Sequence, residues 1–392
     1  MASPLCHFLG RMPCAHRRAS YGFRRNCVPT ALFSNPLSRI HSMSFPARPK
    51  IVVCKDLGPA MPLLTDREDI DVVPWTEDRP CDRAWLLENI AGAAGVVVCF
   101  QDMVDRELVN AAGPNLRVVS TISVGHEHID LRIMGEHKIQ VGYTPDILTD
   151  AVADSAVMLA LMATRAAGQS YSFVKNNEWP AFNWTPFAFC GPQLSTTPFS
   201  PTRTAGFLGF GRIAHAVLTR LAAFGITHCV YTPRPGAAHQ TTRDAQLKAK
   251  HNLAAVTPVD LGTLARDSDI LFVLAPGGPS TRHLINEVFL RQMKPTSVLV
   301  NNGRGSVVDS AALALALKNK WIWAAGLDVV DEEPQVTAEH PLVREPRCVV
   351  LPHIGSAAIE TRAEMATLTA QNVLAGVLGG QLPMALDYAP LV

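Results

Sequence analysis

Three short segments in the C-terminal half carry side chains suited to polar chemistry. Asn301-Asn302-Gly303-Arg304-Gly305 follows one apolar run, and Gly326-Leu327-Asp328 leads through an acidic stretch to Glu333-Pro334. Leu351-Pro352-His353-Ile354-Gly355-Ser356 follows a third. Reducing a ketone requires a hydride donor, a cation for the substrate carboxylate and carbonyl, and an acid for the new alkoxide. Arg304, Glu333 and His353 are one residue of each protein-borne type, and Glu333 would hydrogen-bond the imidazole, favouring its charged form and fixing its orientation. Singly, each also reads as an ordinary residue: a loop arginine, a helix-start glutamate before Pro334, a satisfied core histidine. The ordered triple is much harder to explain that way.

The hydride donor has its own signature. Gly206-Phe207-Leu208-Gly209-Phe210-Gly211-Arg212-Ile213-Ala214 closes a strand pattern and opens a helix pattern. Gly209 permits the tight turn, Gly211 lets backbone approach a pyrophosphate at the helix N-terminus, and Ala214 occupies the third, helix-packing position. Such a motif is weak alone, but its context is right on both sides. An NAD-preferring site would end the next strand with an acidic residue. Here that strand ends Val230-Tyr231-Thr232-Pro233-Arg234, without a carboxylate. Arg234 could grip a 2′-phosphate with its planar fork, or be a solvated loop residue; the missing acid favours NADP, with NAD as the second choice.

These segments need strands to carry them. Apolar runs at 50–54, 95–99, 116–122 and 139–142, separated by amphipathic stretches, predict βαβ units and a parallel sheet. A nearly continuous apolar pattern predicts one long buried helix over 150–175, followed by an aromatic-rich loop over 179–201 that contains Trp184, Phe187 and Phe189. From Thr204 a second alternating series predicts strands at 205–210, 228–232, 270–275, 297–301, 324–328 and 348–351. A final helix over 360–378 has no strand after it and is expected to return to the first domain. The fold class is therefore α/β: two Rossmann-like, doubly wound parallel-sheet domains, the cofactor domain (153–352) inserted in the substrate domain (46–152 and 353–392).

Together these segments resemble the D-2-hydroxyacid dehydrogenase family, from about Lys50 to Leu386. Ser123-Val124-Gly125, the run from Val141 to Asp150 and Leu351–Ser356 look like its glyoxylate/hydroxypyruvate reductase branch. The resemblance implies that Val124 and Gly125 offer backbone N–H groups to the substrate carboxylate and that Arg304, Glu333 and His353 form the catalytic triad. It also implies cofactor contacts at Gly209, Gly211, Arg212, Ile213, Thr232, Arg234, Pro276, Asn302, Asp328 and Gly355. It implies a homodimer in which Trp184 reaches the partner subunit's active site; a strand-end turn at 124–125 and simple loop packing of Trp184 remain alternatives. Glu127 stands where the family usually has Asp, and the loop between Cys190 and Arg203 looks longer than in relatives. Competing readings are a D-lactate or phosphoglycerate type of dehydrogenase, and a dinucleotide-sensing, corepressor-like binding protein. The former is disfavoured by the short segment after His353 and the missing acid, the latter by retention of the triad.

Composition bounds the partners. At 48% hydrophobic residues the chain is globular, and no apolar run reaches the roughly 18 residues that cross a bilayer. Residues 1–50 hold seven Arg and one Lys and no acid, which fits a mitochondrial transit segment over about 1–45 better than a nucleic-acid arm; a disordered leader or a mis-assigned start is the alternative. The expected location is therefore the mitochondrial matrix, with the cytoplasm second. The remaining body is mildly acidic, which argues against nucleic acid and leaves a small 2-oxo acid as the partner. Nine cysteines without a Cys-x-x-Cys pair read as small core residues and argue against a metal site.

Overall fold

The described residues of the protein, in a computed structural model, are 48–233 and 240–389; the expected leader and Arg234 lie outside them. Five strands build the first sheet: β1 (Lys50–Val53), β2 (Asp71–Pro74), β3 (Gly95–Val98), β4 (Val118–Thr121) and β5 (Gln140–Gly142). Seven build the second: β6 (Thr204–Leu208), β7 (His228–Thr232), β8 (Ala255–Pro258), β9 (Ile270–Val273), β10 (Val298–Asn301), β11 (Ala324–Leu327) and β12 (Cys348–Val350). Every named pair is parallel, with orders β2-β1-β3-β4-β5 and β12-β11-β10-β9-β6-β7-β8. Helices cover both faces, so central strands such as Gly95–Val98 and Ile270–Val273 are buried throughout. That double burial is why they read as continuous apolar runs rather than alternating ones.

Both orders reverse direction at one place, between β1 and β3 in the first sheet and between β6 and β9 in the second. At such a switch point the connections diverge to opposite sides and leave a crevice at the carboxyl ends of the two strands. Leu208 pairs with Val273, so Gly209 and Leu274 emerge side by side, and Leu274 N–H donates to Leu208 O at 2.8 Å.

The two ends of the chain's body are stitched by the last helix, Ile359–Val377, which packs on β3, β4 and β5. Glycine makes this close approach possible: a Cβ on Gly376 would lie 2.6 Å from Val118 Cβ. Ser120 Oγ donates to Thr369 O at 2.9 Å, and beyond the helix Leu386 N–H donates to Val141 O at 2.7 Å. The seven-stranded domain thus lies between two parts of the five-stranded one.

One local expectation is corrected, and three elements were not anticipated. The single helix expected over 150–175 is two, Thr149–Thr164 and Ala167–Lys175, meeting at 69° with Ala166 at φ 49°. Only the first buries a face, against β10, β11 and β12, while the second has no buried residue. Gly191 of the following loop also sits so close to Thr164 O that a Cβ there would be 2.0 Å away. Strands β2 and β8 were not anticipated, because each is a short edge strand ending in proline, which only an edge tolerates. The helix Thr241–Lys250 was hidden by its polar composition, with Asp244 its one buried residue.

Candidate active site

The dinucleotide motif has the geometry its glycines imply. Gly209 takes φ 88°, and a Cβ there would stand 2.7 Å from Ala275 N, so both the turn and its contact with the β9 end require glycine. At Gly211 nothing lies within 4 Å of the Cβ position, and no side chain caps the helix Arg212–Ala222 that it opens. The first-turn N–H groups therefore face a cleft of about 140 Å³ lined by Val124, Thr149, Gly211, Arg212, Ile213 and Leu274. Arg212 is held by Asp146 at 2.6 Å. The Phe210 and Tyr231 rings stack at 4.2 Å, with the Arg243 guanidinium 5.0 Å from both centroids. Asn302 Nδ2 donates to Ser155 Oγ at 3.3 Å while its Oδ1 is buried without a protein partner, an acceptor left for a bound amide. A dinucleotide fits these residues.

Arg304 and the Val124-Gly125 turn, 179 residues apart, meet. A Cβ on Gly125 would overlap Arg304 Nη2 at 1.7 Å, so only glycine lets the guanidinium lie there. Arg304 Nε and Nη2 donate to the two Glu127 carboxylate oxygens at 2.9 and 3.3 Å, and Nη1 donates to Gly303 O at 2.8 Å. Burial opposes ionisation of Glu127, but the charge and hydrogen bonds of Arg304 outweigh it and hold the carboxyl below its ordinary range. Glu127 thus forks onto the arginine. The Val124 and Gly125 N–H groups have no protein acceptor among the described residues.

His353 and Glu333 meet as well, with Nδ1 and Oε1 3.2 Å apart. The imidazole stacks on Phe100, ring centroids 5.0 Å apart and planes 30° from parallel. His353 itself has φ 55°, a left-handed conformation that non-glycine residues rarely adopt. Asp328 holds it there: its backbone O accepts from His353 N–H at 2.9 Å, and its carboxylate oxygens accept from Ile354 and Gly355 N–H at 2.8 Å each. Burial raises the Asp328 pKa above the ordinary carboxylate value, against the pull of those two N–H groups.

Of the residues expected from sequence, Trp184 is not brought to this site within one chain; it lies in the 179–201 loop at 74% exposure. Thr232 ends β7, and Pro276 follows β9 with its O accepting from Thr281 Oγ1 at 2.8 Å. Sequence reasoning missed Phe100 and the Arg243 stack. Phe100 follows the β3 end, the edge where the other site residues emerge, and that position was its available signal.

On this fold and site, the comparisons are consistent. Residues 157–355 match the model of the D-isomer specific 2-hydroxyacid dehydrogenase, NAD binding domain, and the chain belongs to the D-2-hydroxyacid dehydrogenase family. It is 40% identical to the glyoxylate reductase/hydroxypyruvate reductase of Homo sapiens, over 81% of this chain and 91% of that protein. The protein of the same description from Mus musculus is 39% identical, over 82% and 93%. Among solved structures, an NADPH-dependent glyoxylate/hydroxypyruvate reductase from Sinorhizobium meliloti, in complex with NADP and malonate, superposes with a TM-score of 0.69 at 31% identity, covering 88% of this chain and 98% of that one. The protein is thus an oxidoreductase of this family with a nicotinamide-dinucleotide-binding domain.

The loop beneath Arg304 has a titration of its own. His128 is buried, its Nε2 3.0 Å from Thr121 Oγ1, and Thr121 Oγ1 lies 2.8 Å from Ser123 Oγ, which donates to Gly125 O. Burial pushes the His128 imidazole down to about 4, with Glu127 opposing and His126 and Arg304 adding to the effect. An exposed histidine titrates near 6.5, so folding carries no penalty from this group above that pH and a growing one as pH falls towards 4. His128→Gln should therefore gain about 2–3 kcal/mol relative to the parent between pH 7 and 4.5. Urea unfolding of both proteins at the two pH values measures this, and a stability difference independent of pH would refute it.

Proposed function

We propose that the protein reduces glyoxylate, hydroxypyruvate or both to the corresponding 2-hydroxy acid with NADPH. The observation that carries this reading is the pairing of His353 with Glu333 on the same strand edge as Arg304, which lies clamped against Gly125. The 40% identity to a glyoxylate reductase/hydroxypyruvate reductase supports the same substrate class.

The chemistry follows from the donors. Glu127 and Gly303 O take three of the five guanidinium N–H groups of Arg304, which leaves two for the substrate carboxylate and carbonyl. The unpaired N–H groups of Val124 and Gly125 meet the same carboxylate. Gly209, Gly211, Arg212, Ile213, Thr232, Pro276, Asn302, Asp328 and Gly355 would hold NADPH, which would supply the hydride. With Nδ1 turned to Glu333, His353 presents Nε2–H to the oxygen that becomes an alkoxide and protonates it, while Glu333 stabilises the imidazolium before transfer. Phe100 covers one ring face and keeps water from it. The absence of a carboxylate at Tyr231-Thr232-Pro233 favours NADPH, with Arg234 as the 2′-phosphate partner. A homodimer is supported by the aromatic loop, where Trp184 and Phe187 are 74% and 86% exposed.

Steady-state assays with glyoxylate and hydroxypyruvate test this directly. His353→Ala should lower turnover by roughly 10²–10⁴-fold with NADPH binding near normal, and turnover close to the parent's would remove His353 from its role. Arg234→Ala should raise the NADPH KM by roughly ten- to a hundredfold and leave NADH almost untouched; equal weakening of both cofactors would refute the phosphate grip. Light scattering at micromolar concentration should give twice the chain mass, and a single-chain mass would overturn the dimer.

A further inference from the structure

A second set of chemistry-bearing groups gathers at the other switch point. Cys54 directly follows β1, Cys81 lies in the connection after β2, and Asp102 closes the turn after β3. The two Sγ atoms and a carboxylate oxygen of Asp102 all lie within 4.8 Å of one another. We propose that Cys54, Cys81 and Asp102 bind a thiophilic divalent cation of the zinc or cadmium type.

Geometry and position support the assignment independently. A tetrahedral zinc ion with bonds of about 2.0–2.3 Å holds its ligand atoms roughly 3.5–3.8 Å apart, so modest side-chain adjustment closes the set. Cys54 and Asp102 follow β1 and β3, the two strands that flank the switch point where open α/β sheets take their ligands, and Cys81 reaches them from the connection after β2. Cys54 is fully buried and Cys81 partly exposed, so an ion enters past Cys81 and keeps its fourth position for water.

The carboxylate decides between a cation and a reactive thiol pair. Asp102 is only 6% exposed; its Oδ2 accepts Cys99 N–H at 2.8 Å, and the Lys55 charge acts on it without forming a direct ion pair among the described residues. Two thiols beside a buried carboxylate make a mixed sulfur and oxygen donor set of the kind that zinc takes. A divalent cation suits the set: on binding, both thiols release their protons to solvent, and their charges and that of Asp102 meet the ion. The site is distinct from the Arg304 and His353 groups but touches them through one turn. Cys99 and Asp102 bracket Phe100, whose ring stacks on His353.

Titration of the reduced full chain with Cd²⁺ or Co²⁺ alone tests the proposal, read as thiolate-to-metal charge-transfer absorption and as a rise in Tm. One equivalent should saturate the band. Cys81→Ser, at a partly exposed position that folding tolerates, and Asp102→Asn, which keeps an acceptor for Cys99 N–H, should each weaken binding at least about tenfold, since even losing a group behind a ligand costs that much. Cys229→Ser should bind as the parent does. Absence of the band, equal binding by the Cys81→Ser protein, or a Cys54–Cys81 disulfide that persists in reductant without bound cation would overturn the site.

Discussion

Asp328 makes three bonds that turn a chain segment into a working loop. Its backbone O and both carboxylate oxygens take the N–H groups of His353, Ile354 and Gly355 in succession. Those bonds hold His353 at φ 55°, which an unrestrained histidine would leave, because left-handed backbone costs on the order of 1–2 kcal/mol. Once so held, the imidazole has Glu333 on one nitrogen and Phe100 on one face. Its remaining nitrogen has a fixed direction. Gly355 is required for the same reason, since a Cβ there would stand 2.6 Å from Asp328 Oδ2.

A second constraint joins the two domains. Glu127 follows β4 of the first sheet and Arg304 follows β10 of the second, and their ion pair spans the cleft. Its side chains are 46% and 30% exposed, so in energy it counts as a surface pair and contributes little to stability. Its role is orientation: the guanidinium plane is set by Glu127 on one side and Gly303 O on another, and Gly125 and Gly277 leave room for it. A larger residue at 125 would push the arginine out whatever its charge.

Much of this was legible residue by residue. Gly209 announced a turn, because φ 88° with Ala275 N 2.7 Å from its Cβ position is a geometry only glycine provides cheaply, and Gly211 announced the open helix start that follows it. The strands of the sheet interiors announced themselves as apolar runs, because helices bury both faces. The edge strands β2 and β8 did not, since an edge imposes less on sequence and accepts Pro74 and Pro258. The break at Ala166 was equally hidden: the apolar pattern thins gradually, and the residue packed against Thr164 O, Gly191, arrives from further along the chain.

The sequence by itself determined the order of the elements, the dinucleotide turn and the residue types along each cleft segment, since each depends on residues near one another in the chain. Only the tertiary structure decided which distant groups face each other: Phe100 on His353, Gly125 beneath Arg304, and Cys54 beside Cys81 and Asp102. The cysteines show why. Spaced without any ligand-like pattern, they read as packing residues, yet parallel strands deliver all their carboxyl ends to one edge. Residues that follow different strands there become neighbours however far apart they lie in sequence.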